Sequence, residues 1–275
     1  MSWTPSVIVT DIDGTLIDSH ERIPAATFDA LTRAIHAGAR VVLATGRPPR
    51  WIGPTLAQLP YTPDATDYSD PLRIRPHAVC ANGALIYDSA ADTLIAKNVL
   101  NPQVMRTITR IVGEVLPHAG FAVERPGMSI HDPEHELYVV TEEYAPTWDS
   151  DSHGVEPLGA LVRMPATKLL ARCQDMDSTR MCELVAPHIP ADLAQVTYSM
   201  HEGLLEFSAP GISKATGLQA LGLDPDEVLA FGDMPNDNAM LAWARVGVAV
   251  PDAHPTTVAA ADEQGSIADV LARYF

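Results

Sequence analysis

Acidic side chains and one lysine occur in this chain in a combination that can do chemistry on phosphate. Asp11 and Asp13 directly follow a β-branched run, and Asp233 and Asp237 follow a second apolar run. Clustered carboxylates need a counter-ion, and their hard oxygen atoms suit Mg²⁺. Lys214 supplies a second, fixed cation. A site of this kind binds a phosphoryl group, and one of its carboxylates can attack phosphorus to form an aspartyl-phosphate.

Each of these residues also has an ordinary structural explanation when it is taken alone. A pair such as Asp13-Gly14 is most often only a turn, and Ser213 and Asn236 are good helix caps. An isolated lysine such as Lys214 is usually a solvated surface charge. The chemical interpretation therefore depends on the whole ordered set, in which the roles of the residues converge.

The elements that must position these groups have the pattern of an α/β fold. The run at residues 7–9 predicts a buried strand, Pro24 begins a helix, and residues 41–44 form the next strand. A strand, a helix and a strand in this order give a parallel pair with a right-handed crossover. The same alternation returns after residue 213. We therefore expect a Rossmann-like, doubly wound parallel sheet that carries the polar groups at the carboxyl ends of its strands, where such sheets bind ligands.

The middle of the chain lacks this alternation. Its strand-like and helical runs are mixed, which indicates an inserted α+β domain over residues 85–199. Residues 1–84 and 200–275 then form the catalytic core on either side of the insert. The segment at residues 60–76 contains four prolines and little periodicity, so we expect an extended surface loop there.

The charge balance restricts the partners of the protein. Its 275 residues include 18 Lys and Arg against 35 Asp and Glu, so the formal net charge is −17. This excess repels phosphate backbones and anionic lipid surfaces, which argues against nucleic acid and membrane partners. The three cysteines show no CxxC spacing, as is typical of reduced thiols. We therefore expect a cytoplasmic protein.

Four segments of the chain resemble, in order and spacing, the motifs of one enzyme superfamily. They are Asp11-Ile12-Asp13-Gly14-Thr15-Leu16, Ala44-Thr45-Gly46-Arg47, Ser213-Lys214 and Gly232-Asp233-Met234-Pro235-Asn236-Asp237. These are similar to the four motifs of the haloacid dehalogenase (HAD) superfamily. The turn Asn82-Gly83-Ala84 before a large insert narrows the resemblance to the Cof-like branch with a type IIB cap. The motifs cover both ends of the chain, whereas the middle is matched only by its size and its mixed α/β pattern.

The resemblance implies a role for each matching residue. Asp11 would be the nucleophile and a Mg²⁺ ligand, and Asp233 would complete the metal site. Asp13 would be the general acid and then the base, and would bind the metal through its backbone carbonyl, because a carboxyl that shuttles a proton works better off the metal. The implied substrate- and phosphate-binding residues are Thr45, Gly46, Arg47, Asn82, Asn236 and Lys214, the last of which is also counted as catalytic. Asp237 is expected behind them, where it would orient Lys214 or a metal-bound water.

The activity that the resemblance implies is Mg²⁺-dependent hydrolysis of a small phosphorylated metabolite, most often a sugar phosphate. A phosphotransferase or phosphomutase would use the same aspartyl-phosphate and is the nearest alternative. A signalling receiver domain also has a phospho-accepting Asp, a Thr and a Lys at strand ends, but it is much shorter and needs no insert. A noncatalytic metabolite sensor would tolerate the loss of Asp11 or Asp13, and this chain keeps both.

Overall fold

The structure, a computed structural model, describes residues 3–60, 77–128, 131–146 and 152–275. Its strands, in chain order, are β1 (Val7–Thr10), β2 (Arg40–Ala44), β3 (His77–Cys80), β4 (Leu85–Asp88), β5 (Thr93–Lys97), β6 (Gly120–Glu124), β7 (Tyr138–Val140), β8 (Gly154–Val155), β9 (Lys168–Arg172), β10 (Gln195–Thr197), β11 (Leu204–Ser208), β12 (Val228–Gly232), β13 (Val246–Ala249) and β14 (Glu263–Gln264). Its α-helices are α1 (Ala25–His36), α2 (Gly53–Leu56), α3 (Pro102–Val115), α4 (Glu134–Leu137), α5 (Leu158–Leu161), α6 (Ser178–Val185), α7 (Lys214–Ala220), α8 (Asn238–Trp243), α9 (Pro255–Ala260) and α10 (Ile267–Leu271). The loop expected at residues 60–76 lies, from residue 61 onward, outside the described residues.

The chain divides into two compact units. The first comprises Met1–Ile95 and Ser213–Phe275, and the second comprises Ala96–Ile212. Both boundaries fall later in the chain than the ends of the insert expected from the sequence, 85 and 199. The reason is strand pairing, since β4 pairs with β3 in the first unit and β11 pairs with β9 in the second.

The first unit is built on an eight-stranded sheet in the order β14-β13-β12-β1-β2-β3-β4-β5. The strands from β14 to β3 are parallel, and β4 returns antiparallel to β3. From β1 the chain builds the sheet in one direction, and from β12 it builds the sheet in the other. The expected α/β fold class is confirmed, and the boundary between β1 and β12 is the switch point at which such sheets bind ligands.

The strands at this switch point are buried along their whole length. Every residue of β1 and of β12 is buried, and the β-branched run Val7-Ile8-Val9 is fully shielded from solvent. Continuous apolar runs of this kind are typical of parallel strands that are covered on both faces. Burial therefore fixes the strands whose ends carry Asp11 and Asp233.

The second unit is a six-stranded sheet in the order β10-β11-β9-β6-β7-β8 with its own helices. The helix α3 is capped by Asn101, whose Oδ1 accepts a hydrogen bond from Val104 N at 3.0 Å. The strand β7 begins at Tyr138 because the short helix α4 takes up Glu136 and Leu137. None of the described helices is long and apolar enough to cross a membrane.

Candidate active site

Two carboxylates meet at the ends of neighbouring strands. Asp11 directly follows β1 and Asp233 directly follows β12. The two strands are paired in register, with Thr10 opposite Phe231. Asp11 N donates to Phe231 O at 3.0 Å, so the pairing continues to Asp11 itself. Both side chains therefore start from the same edge of the sheet.

The loop after Asp13 turns back onto Asp233. Gly14 has a φ of +73°, a left-handed conformation that favours glycine. A Cβ atom at this position would overlap the Asp233 carboxylate. Thr15 Oγ1 donates to Asp233 Oδ1 at 3.0 Å, which holds that carboxylate in place. Thr15 belongs to the first motif, but its position there does not by itself indicate this contact.

Lys214 enters the site from a tightly packed helix N-terminus. Ser213 and Thr216 form a capping box, in which Thr216 N donates to Ser213 Oγ at 3.2 Å and Ser213 N donates to Thr216 Oγ1 at 2.9 Å. A Cβ atom at Gly83 would overlap the Ser213 carbonyl oxygen. Only glycine therefore lets the turn after β3 approach the start of α7, where Lys214 is the first residue.

The Lys214 ammonium is fully buried and lies between two carboxylates. Its Nζ donates to Asp11 Oδ1 and to Asp237 Oδ1, each at 2.6 Å. Burial alone would lower the pKa of Lys214, but the two carboxylates outweigh burial and raise it. The lysine therefore stays charged. Asp237 Oδ2 accepts from the backbone N–H groups of Asp233 and Met234 at 3.1 and 3.2 Å, which fixes Asp237 beside the loop after β12.

The carboxylates of the site are crowded and short of positive charge. Oxygen atoms of Asp11, Asp233 and Asp237 lie within 4.8 Å of one another. Burial raises the pKa of Asp11 well above its ordinary value, and the attraction of Lys214 only partly opposes this. Burial and the charge of Asp237 raise the pKa of Asp233 to about 7. One ammonium does not balance three carboxylates, so this cluster of hard oxygen atoms fits a divalent metal ion.

Four of the expected phosphate-binding residues are linked by hydrogen bonds. Thr45 Oγ1 accepts from Arg47 N at 3.0 Å, and Thr45 O accepts from Asn82 N at 3.0 Å. Asn82 has a left-handed φ of +56°, and its Oδ1 accepts from Asn236 Nδ2 at 3.1 Å. Asn236 Oδ1 is buried and has no hydrogen-bond partner among the described residues. A buried acceptor of this kind is a natural contact for a ligand.

The carboxylate of Asp13 lies outside the acidic cluster. Arg47 Nη2 donates to Asp13 Oδ1 at 2.6 Å, and Arg47 Nε donates to Asp13 Oδ2 at 2.9 Å. Arg47 Nη2 also donates to Glu21 Oε1 at 2.9 Å. Glu21 is 26 residues from Arg47 in a loop with no pattern that marks it, so the sequence alone does not predict this contact.

The chain is similar in sequence and in structure to known proteins. A family profile described as haloacid dehalogenase-like hydrolase matches residues 8–269. Pyridoxal phosphate phosphatase YbhA of Escherichia coli (strain K12) is 25% identical over 267 residues, which cover 94% of this chain and 92% of that protein. The chloroplastic endoribonuclease YBEY of Arabidopsis thaliana is 27% identical over 284 residues, which cover 98% of this chain but only 46% of that protein, so this chain spans about half of its length. Among solved structures, the HAD subclass IIB sugar phosphatase BT4131 has the same fold, with a TM-score of 0.73, 20% identity and 98% of each chain covered.

Proposed function

The chain belongs to the haloacid dehalogenase-like hydrolases, in their Cof-like branch, and from this membership we propose that it is a Mg²⁺-dependent phosphomonoesterase acting on a small phosphorylated metabolite. The observation that carries the proposal is the buried Lys214 ammonium, 2.6 Å from both Asp11 and Asp237. A protein with a net charge of −17 repels phosphate unless it offers fixed cations, and this lysine is one.

We propose the substrate class from what related proteins are named for, and sugar phosphates are the first substrates to test. One relative is named a pyridoxal phosphate phosphatase, and a solved structure of the same fold is a sugar phosphatase. We do not propose an endoribonuclease activity, because this chain aligns with only 46% of the relative that has that name. The net negative charge also disfavours an RNA backbone as substrate.

The acidic cluster supports a divalent metal ion as cofactor. Asp11 and Asp233 would hold the ion with their carboxylates, and Asp13 would hold it with its backbone carbonyl. Burial first, and then the neighbouring carboxylates, raise the pKa values of Asp11 and Asp233, and a bound cation would offset both effects. When bound, Mg²⁺ would neutralise the phosphoryl oxygens of the substrate.

In the first chemical step Asp11 acts as the nucleophile. One of its carboxylate oxygens forms a bond to phosphorus while the bond from phosphorus to the leaving oxygen breaks, which gives an aspartyl-phosphate. Asp13 donates a proton to the leaving oxygen. Lys214, Asn236 and the backbone of the Thr45-Gly46-Arg47 turn hold the phosphoryl oxygens while negative charge develops there, whereas the guanidinium of Arg47 is bound to Asp13 and Glu21.

In the second step Asp13 serves as the base. Its carboxylate takes a proton from water, the water oxygen forms a bond to phosphorus, and the bond from phosphorus to Asp11 breaks. Inorganic phosphate leaves, and both carboxyl groups return to their starting states. If a sugar hydroxyl replaced water, the same residues would make a phosphotransferase or a phosphomutase, so analysis of the product separates these activities.

The inserted unit is proposed to select the leaving group and to exclude water during the reaction. The proposed catalytic residues all belong to the first unit, which leaves the second unit free for this role. A cytoplasmic location stays a prediction from the cysteine content.

The proposal is tested by measuring Mg²⁺-dependent phosphate release from a panel of phosphorylated metabolites. We expect Asp11→Asn to abolish turnover, because an amide does not attack phosphorus, and Asp13→Ala to lower kcat by about 10²- to 10⁴-fold. Asp29→Asn, which changes an exposed residue of α1, serves as the control and should keep full activity. Phosphate release at the wild-type rate by Asp11→Asn would show that the nucleophile is wrongly assigned.

A further inference from the structure

The loop after β1 carries Glu21, which forms an ion pair with Arg47. We propose that Glu21 is a positioning residue for phosphoryl transfer, and that it acts by holding Arg47, which in turn fixes the carboxylate of Asp13. The inference rests on the proposed function, in which Asp13 moves the proton of the leaving group.

Arg47 is held at every nitrogen of its guanidinium group. Its Nε and Nη2 donate to the two carboxylate oxygens of Asp13 at 2.9 and 2.6 Å. The same Nη2 donates to Glu21 Oε1 at 2.9 Å, and Nη1 donates to Trp51 O at 3.2 Å. A planar guanidinium that is hydrogen-bonded at several points is fixed in one orientation. A carboxylate that accepts two hydrogen bonds from it is therefore fixed as well. Glu21 and Trp51 thus fix the group that orients Asp13.

Glu21 is itself held in an uncommon backbone conformation. Its φ is +56°, in the left-handed region that non-glycine residues rarely adopt. Gln58 Nε2 donates to Glu21 O at 2.9 Å, and Gln58 Oε1 accepts from Ile23 N at 3.0 Å. Glu21 N donates to Asp18 O at 2.9 Å, which closes the turn. Strained residues of this kind persist where the surroundings fix them, and they concentrate at functional sites.

Stability alone does not account for these ion pairs. The Arg47 side chain is 15% exposed, but those of its partners Asp13 and Glu21 are 50% and 66% exposed. Water screens the two exposed carboxylates, which limits what the pairs add to the free energy of unfolding. What the arrangement does supply is geometry, because Asp13 must act first on the leaving oxygen and then on water, and a fixed Arg47 returns it to the same place in each turnover.

Loss of Glu21 should therefore affect the step in which Asp13 donates its proton. Without Glu21, Arg47 keeps fewer contacts, and the Asp13 carboxyl is misplaced. The release of a leaving group that needs a proton, such as a sugar alkoxide, should be slowed by this misplacement. A leaving group that departs as a stable anion, such as p-nitrophenolate, needs no proton and should be nearly insensitive.

The test compares Glu21→Gln with wild type on two substrates, the best sugar phosphate of the panel and p-nitrophenyl phosphate. We expect kcat/KM to fall by about 10-fold for the sugar phosphate and by less than about 2-fold for p-nitrophenyl phosphate. Glu21→Asp, which keeps a shorter carboxylate, should restore part of the loss. Glu114→Gln is the matched control, because Glu114 is 63% exposed and pairs with Arg110 at 2.8 Å on a helix surface. It should leave both substrates unchanged.

A second comparison asks whether Glu21 acts through Arg47. In an Arg47→Gln background, Glu21→Gln should cause no further loss of kcat/KM. The proposal is overturned if Glu21→Gln behaves like Glu114→Gln, if it slows both substrates equally, or if its effect persists without Arg47. These outcomes are independent of Asp11→Asn, whose activity decides the proposed function itself.

Discussion

At the scale of single residues, the site depends on one ammonium that is surrounded by carboxylates. Lys214 Nζ is bound at 2.6 Å to both Asp11 and Asp237, and it is shielded from solvent. Attraction between opposite charges is stronger in a buried environment than in water, so the lysine keeps its proton even though burial opposes its charge. The third carboxylate, Asp233, is not among the hydrogen-bond partners of Lys214 in the described residues. It is held instead by Thr15, in the loop after Asp13.

Gly14→Ala tests how closely that loop must approach Asp233. An added Cβ overlaps the Asp233 carboxylate, so we expect this carboxylate to move and the Mg²⁺ concentration for half-maximal activity to rise by about 10-fold. The measurement is a Mg²⁺ titration of phosphate release.

Gly222→Ala is the control for backbone strain in that titration. Gly222 has a φ of +72°, close to the +73° of Gly14, but its added Cβ would meet no atom within 4 Å. It should lower the free energy of unfolding by about 1 kcal/mol and leave the Mg²⁺ dependence unchanged. Equal Mg²⁺ dependence in both variants would contradict the role given to the Gly14 loop.

At the scale of elements, local patterns predicted the parts of the site that neighbouring residues determine. The β-branched run before Asp11 indicated β1, and Ser213 indicated the start of the helix that carries Lys214. The bond from Lys214 to Asp11 spans 203 residues. That the two share a site was predicted from the α/β pattern, which brings strand ends to one edge of the sheet, and from the resemblance to known motifs. No local pattern marks Glu21, because its partner Arg47 is brought to it by the folded loops.

The domain boundaries show the same limit. The strand β11 has the right residues for a strand, but its pairing with β9 places it in the sheet of the second unit, whereas β4 stays in the first unit because it pairs with the preceding strand β3. A pattern read along the chain does not contain that pairing, so the expected insert was displaced toward the N-terminus of the chain.

Lys168→Met tests how the sheet of the second unit tolerates a buried ion pair. Lys168 on β9 donates to Glu206 on β11 at 2.7 Å, and their side chains are 5% and 0% exposed. Removing the lysine leaves a buried carboxylate without its main counter-charge, so we expect the free energy of unfolding to fall by about 3 to 5 kcal/mol in a urea titration. The double variant Lys168→Met/Glu206→Leu should recover most of this loss.

An exposed pair in the same unit is the control for that titration. Arg110 pairs with Glu114 at 2.8 Å, and both side chains are more than half exposed. Arg110→Gln should change the free energy of unfolding by less than about 1 kcal/mol. A Lys168→Met variant as stable as Arg110→Gln would contradict the account of the buried pair.

At the scale of the whole molecule, metal binding should stabilise the protein in a pH-dependent way. The pKa of Asp233 in the folded, metal-free protein is raised to about 7, above the ordinary value of 3.8. The folded state therefore binds more protons than the unfolded state between these values, and this group lowers the stability of the metal-free protein as pH rises through that window. Mg²⁺ needs the deprotonated carboxylate, so its stabilising effect should grow over the same window.

The measurement is the melting temperature with and without MgCl₂, at about pH 6 and about pH 8. We expect MgCl₂ to raise the melting temperature clearly more at the higher pH. There, Mg²⁺ at about 100 times its Kd should add about 2.7 kcal/mol to the free energy of unfolding. NaCl at matched ionic strength should produce neither increase. Equal Mg²⁺ effects at the two pH values would mean that Asp233 does not titrate as described.

The central claim is that the Asp11 carboxylate forms a covalent bond to phosphorus during turnover. The most direct measurement is to quench the enzyme with acid while it turns over a sugar phosphate with Mg²⁺, reduce it with borohydride, and map the peptides by mass spectrometry. An acyl phosphate is reduced at its carbonyl, so the account predicts that the aspartate at position 11, and no other, is converted into homoserine. Conversion at another aspartate, or an unmodified Asp11 during active turnover, would contradict it.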